Sequence, residues 1–162
     1  VRVRIHSECL TGDVFYSMKC DCGTEKLKFL QMMEKEEKLS RPSVFVYIKG
    51  HEGRGSGLFK KIRAYEHLES NPNDTHVKAL NAVGCESDIR QYDTAVRFLK
   101  YKLRVKSLII MTNNPDKIKA VEKYFALQFS HEPMPAEPSL HNKKYLEEKV
   151  ALLGHEGLLE YE

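Results

Sequence analysis

Long apolar runs are missing from this 162-residue chain. No stretch approaches the roughly 20 apolar residues a membrane span needs. The opening residues, Val-Arg-Val-Arg-Ile-His, are polar and basic and do not resemble a signal peptide. The expected partners therefore include no membrane, and the expected compartment is the cytoplasm. Charge of one dominant sign is missing too. The chain has 26 basic and 23 acidic side chains, a net charge of +3, with lysines and arginines scattered among acids. That leaves no basic stripe for nucleic acid, whereas a small phosphorylated ligand needs only a few local cations. Repeats and low-complexity tracts are absent as well. A composition of 41% hydrophobic and 30% charged residues is that of an ordinary globular protein. The length suits one domain over residues 1–162 and is short for two.

The pattern along the chain alternates between strands and helices. Residues 1–6 alternate as a strand does. Leu27, Leu30, Met32 and Met33 amid charges predict an amphipathic helix over 24–38. Ser43 to Ile48 is β-branched and aromatic and predicts a strand. Helices are expected over 58–68, 76–83 and 92–103, with a turn at 71–74 around Pro72. Ser107 to Met111 predicts a buried strand. Pro115 suits the first turn of a helix over 115–124. Residues 132–138, with three prolines, read as an extended loop, and a last helix over 142–153 ends at Gly154. The expected fold is α/β (α+β): a mixed sheet with flanking helices.

Cysteine is scarce, and its placement is uneven. Of four cysteines, Cys9, Cys20 and Cys22 fall close together, while Cys85 stands alone. In a reducing compartment such a cluster points to metal or catalysis rather than to disulfides. Zinc prefers four tetrahedral ligands and binds thiolate well. Three cysteines without an evident fourth ligand leave one position for water, the catalytic arrangement. Cys85 could close the site, although a small buried residue beside a helix end is the plainer reading.

Five blocks in order then resemble one family. His6-Ser-Glu-Cys-Leu-Thr-Gly-Asp13 with Cys20-Asp-Cys-Gly23 resembles the zinc signature of GTP cyclohydrolase II, which starts riboflavin synthesis. Glu52-Gly-Arg-Gly-x-Gly-Leu58 with Lys61-Ile-Arg-Ala-Tyr65 resembles that family's central block. Asp88-x-Arg90 with Tyr92, then Thr112-Asn-Asn-Pro-x-Lys117, resemble its catalytic pair and its phosphate-side loop. The tail pattern Asn142-x-x-Tyr-Leu-x-x-Lys149 and Gly154-His155 also matches. The family's usual N-terminal strands are absent, so an N-terminal piece is expected to be missing before Val1.

The resemblance implies zinc on Cys9, Cys20 and Cys22, one ion per chain, and magnesium on the triphosphate of GTP. It implies a nucleotide site lined by Arg4, Ile5, His6, Ser7 and Glu8, by Glu25, and by Glu52, Gly53 and Arg54. Thr75, Thr112 and Lys117 would lie near ribose or phosphate. Asp88 would be the general acid/base, Arg90 the group proposed to attack the α-phosphorus, and Tyr65 would lie near the chemistry. A homodimer and fusion to another riboflavin-pathway domain are further implications.

Taken one at a time, these motifs have plainer readings. Asp88 and Arg90 would be a surface ion pair, residues 52–57 a flexible loop, and Thr112-Asn-Asn-Pro a strand-to-helix turn. Lys117 would be a solvated charge and His6 a satisfied core histidine. An electrostatic clamp is the conservative role for Arg90, because arginine stays protonated. The sequence also departs from the family. Glu25 stands where Gln is usual, His51 replaces the Gln before Glu-Gly-Arg, and Gln91 replaces Asp before Tyr92. One extra residue near Thr75 puts its register in doubt. A paralogue acting on another nucleotide, or stopping at a formylated intermediate of pyrimidine metabolism, is the alternative. A non-catalytic zinc- or nucleotide-binding module is the third reading.

Overall fold

The computed structural model describes residues 1–85 and 88–159. Strand β1 (Arg2–Ser7) leads into a short helix α1 (Leu10–Asp13) and then α2 (Cys22–Lys38), which carries the chain to β2 (Ser43–Ile48). After a 3₁₀ turn at Glu52–Gly55 come α3 (Leu58–Ser70), α4 (His76–Ala82) and α5 (Asp93–Arg97). A π-turn over Phe98–Lys102 extends α5, and β3 (Leu108–Met111), α6 (Pro115–Phe125), β4 (Phe129–Glu132) and α7 (Lys143–Leu153) follow.

The strands form one sheet in the order β2-β1-β3-β4. The fold is α/β, as expected, and each described pairing in the sheet is parallel. Parallel neighbours need long crossovers, and the helices supply them. The register sets Arg4 beside Phe45 and His6 beside Tyr47, with Val3 beside Ile110.

Alternation along β1 decides what each face of the sheet holds. Val3 and Ile5 are fully buried in the main core with Val96, Leu99, Ile110, Val121 and Phe125. Arg4 and His6 point to the other face, where α2 covers them, and both are buried. On that side a smaller apolar cluster of Phe29, Met111 and Met134 packs against Phe45. Truncating Phe125 or Phe29 to alanine would cost about 3–5 kcal/mol.

Local chemistry explains several element ends. Asn114 caps α6, its Oδ1 accepting from Asp116 N–H at 2.8 Å, and Pro115 occupies the first turn. Gly154 ends α7 in the left-handed conformation at φ 64°, which turns the chain so that His155 N–H reaches Lys149 O. Three features differ from the sequence reading. The expected helix over 92–103 divides into α5 and the π-turn. The cysteine motif contains a helical turn, α1. β4 forms where no element was read, just before the expected loop over 132–138, because four residues with one large apolar side chain carry almost no strand signal.

Candidate active site

Ligands of α/β sheets bind outside the carboxyl ends of the strands. Here β1, β2 and β3 end beside one cleft of about 1010 Å³, including its open mouth. The Cys9, Cys20 and Cys22 sulfurs lie on one side of it, all within 4.8 Å of one another. Cys9 follows β1, whereas Cys20 and Cys22 sit at the start of α2. The positive end of a helix favours thiolates there. Gly12 forms the floor. A Cβ on it would come within 2.8 Å of Cys20 Sγ and 3.2 Å of Cys9 Sγ, so only bare backbone fits beneath the three sulfurs.

Charge around the sulfurs is arranged by three buried groups. Lys61 Nζ donates to Cys9 Sγ (3.1 Å), Thr11 Oγ1 (2.7 Å) and Glu52 Oε1 (2.8 Å). Burial works against its charge, but Tyr65, Cys9 and Glu52 hold the ammonium well above its usual range. His6 Nε2 lies 2.9 Å from Asp13 Oδ1, while Asp13 Oδ2 accepts from Cys9 N–H and Tyr47 O–H. Asp21, between Cys20 and Cys22, meets Lys149 Nζ through both oxygens at 2.9 and 2.7 Å.

By themselves the three thiols share little negative charge. Hydrogen bonds from Cys20 and Cys22, with help from Lys61, hold Cys9 far below its usual range, and the same contacts push Cys22 upward. A soft dication that displaces the remaining protons resolves this competition. The donor set fits zinc: three sulfurs converge, and no fourth Cys, His, Asp or Glu among the described residues joins the group. Cys85 stays apart, packed with Ala64, Ala79 and Leu80.

The same cleft carries cations. Arg90 is clamped by Asp88, with Nε 2.9 Å from Oδ1 and Nη2 2.5 Å from Oδ2. Burial opposes both charges, yet the pair keeps Asp88 below and Arg90 above their usual ranges. Arg4 Nη2 pairs with Glu25 Oε2 at 2.6 Å. Against burial, Arg4, then Lys149 and Lys117, bring Glu25 down to about 2. Lys117 is buried and meets no carboxylate within ion-pair distance among the described residues. Its Nζ lies 5.4 Å from the centre of the Tyr92 ring. Burial, reinforced by Arg4 and Arg90, pulls Lys117 down to about 7. Arg54 Nη1 and His155 Nδ1 are buried polar atoms with no hydrogen-bond partner among the described residues. A buried polar group of this kind is costly unless a ligand satisfies it.

Of the residues singled out from sequence, Arg4, His6, Ser7, Glu8, the three cysteines and Glu25 border the cleft. So do Glu52, Gly53, Arg54, Tyr65, Arg90, Thr112 and Lys117. Burial pushes the Tyr65 phenol above its usual range. Ile5 does not join them, because its side chain lies in the core on the other face of β1. Thr75 does not either: it caps α4, its hydroxyl accepting from Lys78 N–H. Asp88 reaches the cleft through Arg90. Sequence reasoning missed Lys61, Asp13, Tyr145, Lys149 and His155 as site residues. Lys61 and Lys149 sit on helices where a lysine looks like any solvated charge. The signal that could have found them was their position inside the matched blocks.

A family model described as GTP cyclohydrolase II matches residues 1–126. The chain is 44% identical to the GTP cyclohydrolase-2 of Archaeoglobus fulgidus, over 96% of this chain and 39% of that protein. It is 46% identical to the riboflavin biosynthesis protein RibBA of Aquifex aeolicus, over 96% of this chain and 36% of that protein. It is also 46% identical to the GTP cyclohydrolase-2 of Tolumonas auensis, over 96% of this chain and 75% of that protein. The chain thus spans well under half the length of the first two relatives.

Proposed function

Because the chain belongs to the GTP cyclohydrolase II family, we propose that it hydrolyses GTP, the first step of riboflavin biosynthesis. The imidazole ring opens, formate and pyrophosphate leave, and 2,5-diamino-6-(5-phosphoribosylamino)pyrimidin-4-one remains. One observation carries this reading: a three-sulfur group and a set of buried cations line one cleft. Ring hydrolysis needs an activated water at one end of the nucleotide. Loss of pyrophosphate needs positive charge at the other.

Cys9, Cys20 and Cys22 would hold zinc, which when bound supplies Lewis acidity for hydrolysis. Lys61 offsets part of the negative charge that three thiolates bring, through its contact with Cys9. Tyr65, protonated at neutral pH, would present a phenol that donates a proton near the reacting ring. Arg54, Lys117 and Arg90 would grip the phosphates, with magnesium accompanying them. Guanidinium forks suit phosphate oxygens. Since Asp88 holds Arg90 in its charged form, an electrostatic clamp on the α-phosphate accounts for Arg90 better than a neutral nucleophile. The same contact keeps Asp88 ionised, as a proton acceptor must be. Ser7, Glu8, Glu25, Glu52, Gly53 and Thr112 would line the nucleotide, and Ile5 contributes only through its backbone.

A cytoplasmic location, one catalytic domain over residues 1–162, a homodimer, and fusion of that domain to another riboflavin-pathway domain belong to the same proposal. Among the described residues, no helix is long and apolar enough to cross a membrane.

The test is direct. Zinc-loaded protein with GTP and magnesium releases formate while the absorbance of a diaminopyrimidine rises. GTP left intact by folded, zinc-loaded protein overturns the proposal. A second reading rests on Glu25, an ionised carboxylate beside Arg4 where an amide is usual in the family. In that case another nucleotide would be the preferred substrate, and a panel of purine and pyrimidine triphosphates distinguishes the two.

A further inference from the structure

Asp21 occupies the N-cap position of α2, where an aspartate ordinarily accepts hydrogen bonds from the first helical amides. It makes no such bond. Both carboxylate oxygens turn instead to Lys149 Nζ, at 2.9 and 2.7 Å, and Asp21 is fully buried. Lys149 comes from α7, 128 residues away and beyond the 126 residues that the family model matches. The turn between Cys20 and Cys22 is thus fastened to the C-terminal helix by a buried, two-pronged ion pair. Breaking one partner of such a pair leaves an uncompensated charge inside the protein.

The rest of α7 is tied down separately. Lys144 Nζ donates to Pro72 O and Asp74 O at 2.6 and 2.8 Å. Glu148 Oε2 accepts from His76 N–H at 2.8 Å. These contacts dock the helix on the α3–α4 side without touching the cysteine turn. Lys149 alone among them reaches it.

We infer that Lys149 is a positioning residue for the three-sulfur site: by holding Asp21 it keeps the Cys20 and Cys22 sulfurs aimed at the point where Cys9 also aims. The C-terminal helix is then part of the metal centre, although it supplies no ligand. This rests on reading the three cysteines as a zinc site.

The experiment measures apparent zinc affinity of the full chain by competition with a chromophoric chelator. Wild type is compared with Lys149→Met, Asp21→Asn/Lys149→Met and Lys144→Met. Loss of a residue that supports metal ligands commonly weakens metal binding by about 10–100-fold. That is the drop expected for Lys149→Met. The double variant removes the buried unpaired charge but not the loss of the tether, so it should fold as wild type does and still bind zinc more weakly. Lys144→Met, which loosens only helix docking, should bind zinc as wild type does. Circular dichroism checks that each variant folds; if Lys149→Met does not, a folded double variant with weakened zinc affinity still supports the pair. Lys149→Met equal to wild type overturns the inference. So does Lys144→Met as weak as Lys149→Met, or a folded double variant that binds zinc as tightly as wild type. Wild type that binds no zinc removes the metal reading itself, and the inference with it.

Discussion

The sulfur group and the cations of the cleft differ in how fully their polar atoms are met: Arg90 and Arg4 are paired with Asp88 and Glu25, but others are not. On the sulfur side nearly every charged group already has an internal partner. Lys61 is held by Glu52 and Cys9, Asp21 by Lys149, and Asp13 by His6, Tyr47 and the Cys9 amide. On the cation side, Arg54 Nη1 and His155 Nδ1 meet no partner among the described residues, and the Lys117 ammonium sits buried among like charges. The sulfur group is preorganised for a small, fixed occupant such as a metal ion. The cation group stores unmet hydrogen-bonding capacity and positive charge, which an anionic ligand satisfies on arrival. Preorganisation on one side and unsatisfied charge on the other let one cleft hold a metal permanently and a nucleotide transiently.

The contrast can be broken most severely at the sulfurs. Cys20→Ser should lower zinc content to background and formate release from GTP with it, read by elemental analysis and a formate assay. A variant that keeps zinc and activity would show that the sulfur group is not the metal site.

Lys117→Met attacks the cation group. Losing a charge-assisted hydrogen bond worth about 1.5–3 kcal/mol should weaken binding of a non-hydrolysable GTP analogue about ten- to a hundredfold. Zinc content should stay at the wild-type level, and calorimetry together with metal analysis separates the two effects. Loss of both together would mean that the two groups are not independent.

A milder probe is pH. Lys117, pulled down to about 7, is charged below that pH and neutral above it. Affinity for the analogue should therefore fall as pH rises through about 7, and a bound phosphate should shift the midpoint upward. The fall attributable to this group should vanish in Lys117→Met. An unchanged pH profile in that variant would assign the dependence to another group.

The smallest expected effect concerns a peripheral bond of the sulfur group. Tyr47→Phe removes one of the hydrogen bonds to Asp13. A stability loss of about 1 kcal/mol is expected by thermal denaturation, with zinc content unchanged.

Much of the fold was legible because its signals are local. Alternation gave β1, a β-branched and aromatic run gave β2, a short apolar run gave β3, Pro115 gave the start of α6, and Gly154 gave the end of α7. β4 was illegible because an edge strand with one large apolar residue relies on its neighbour for its shape. The expected helix over 92–103 hid a π-turn, since apolar spacing does not report which carbonyl an amide selects. In the cleft, the cysteine trio was legible from its spacing, and the other lining residues that sequence named came from the family resemblance. The alternation of β1 also carried a warning about Ile5: Arg4 and His6 share one face, so Ile5 must take the other. Lys61 and Lys149 were illegible because a buried lysine and a solvated one look alike in sequence. Only tertiary packing brings Lys149 to Asp21.

X-ray absorption at the zinc edge of the wild-type protein tests the central claim most directly. The expected spectrum shows three sulfur ligands at about 2.3 Å and one lighter ligand at about 2.0–2.2 Å. A fully sulfur-ligated ion, or zinc bound without these three sulfurs, would contradict a catalytic metal centre in this cleft.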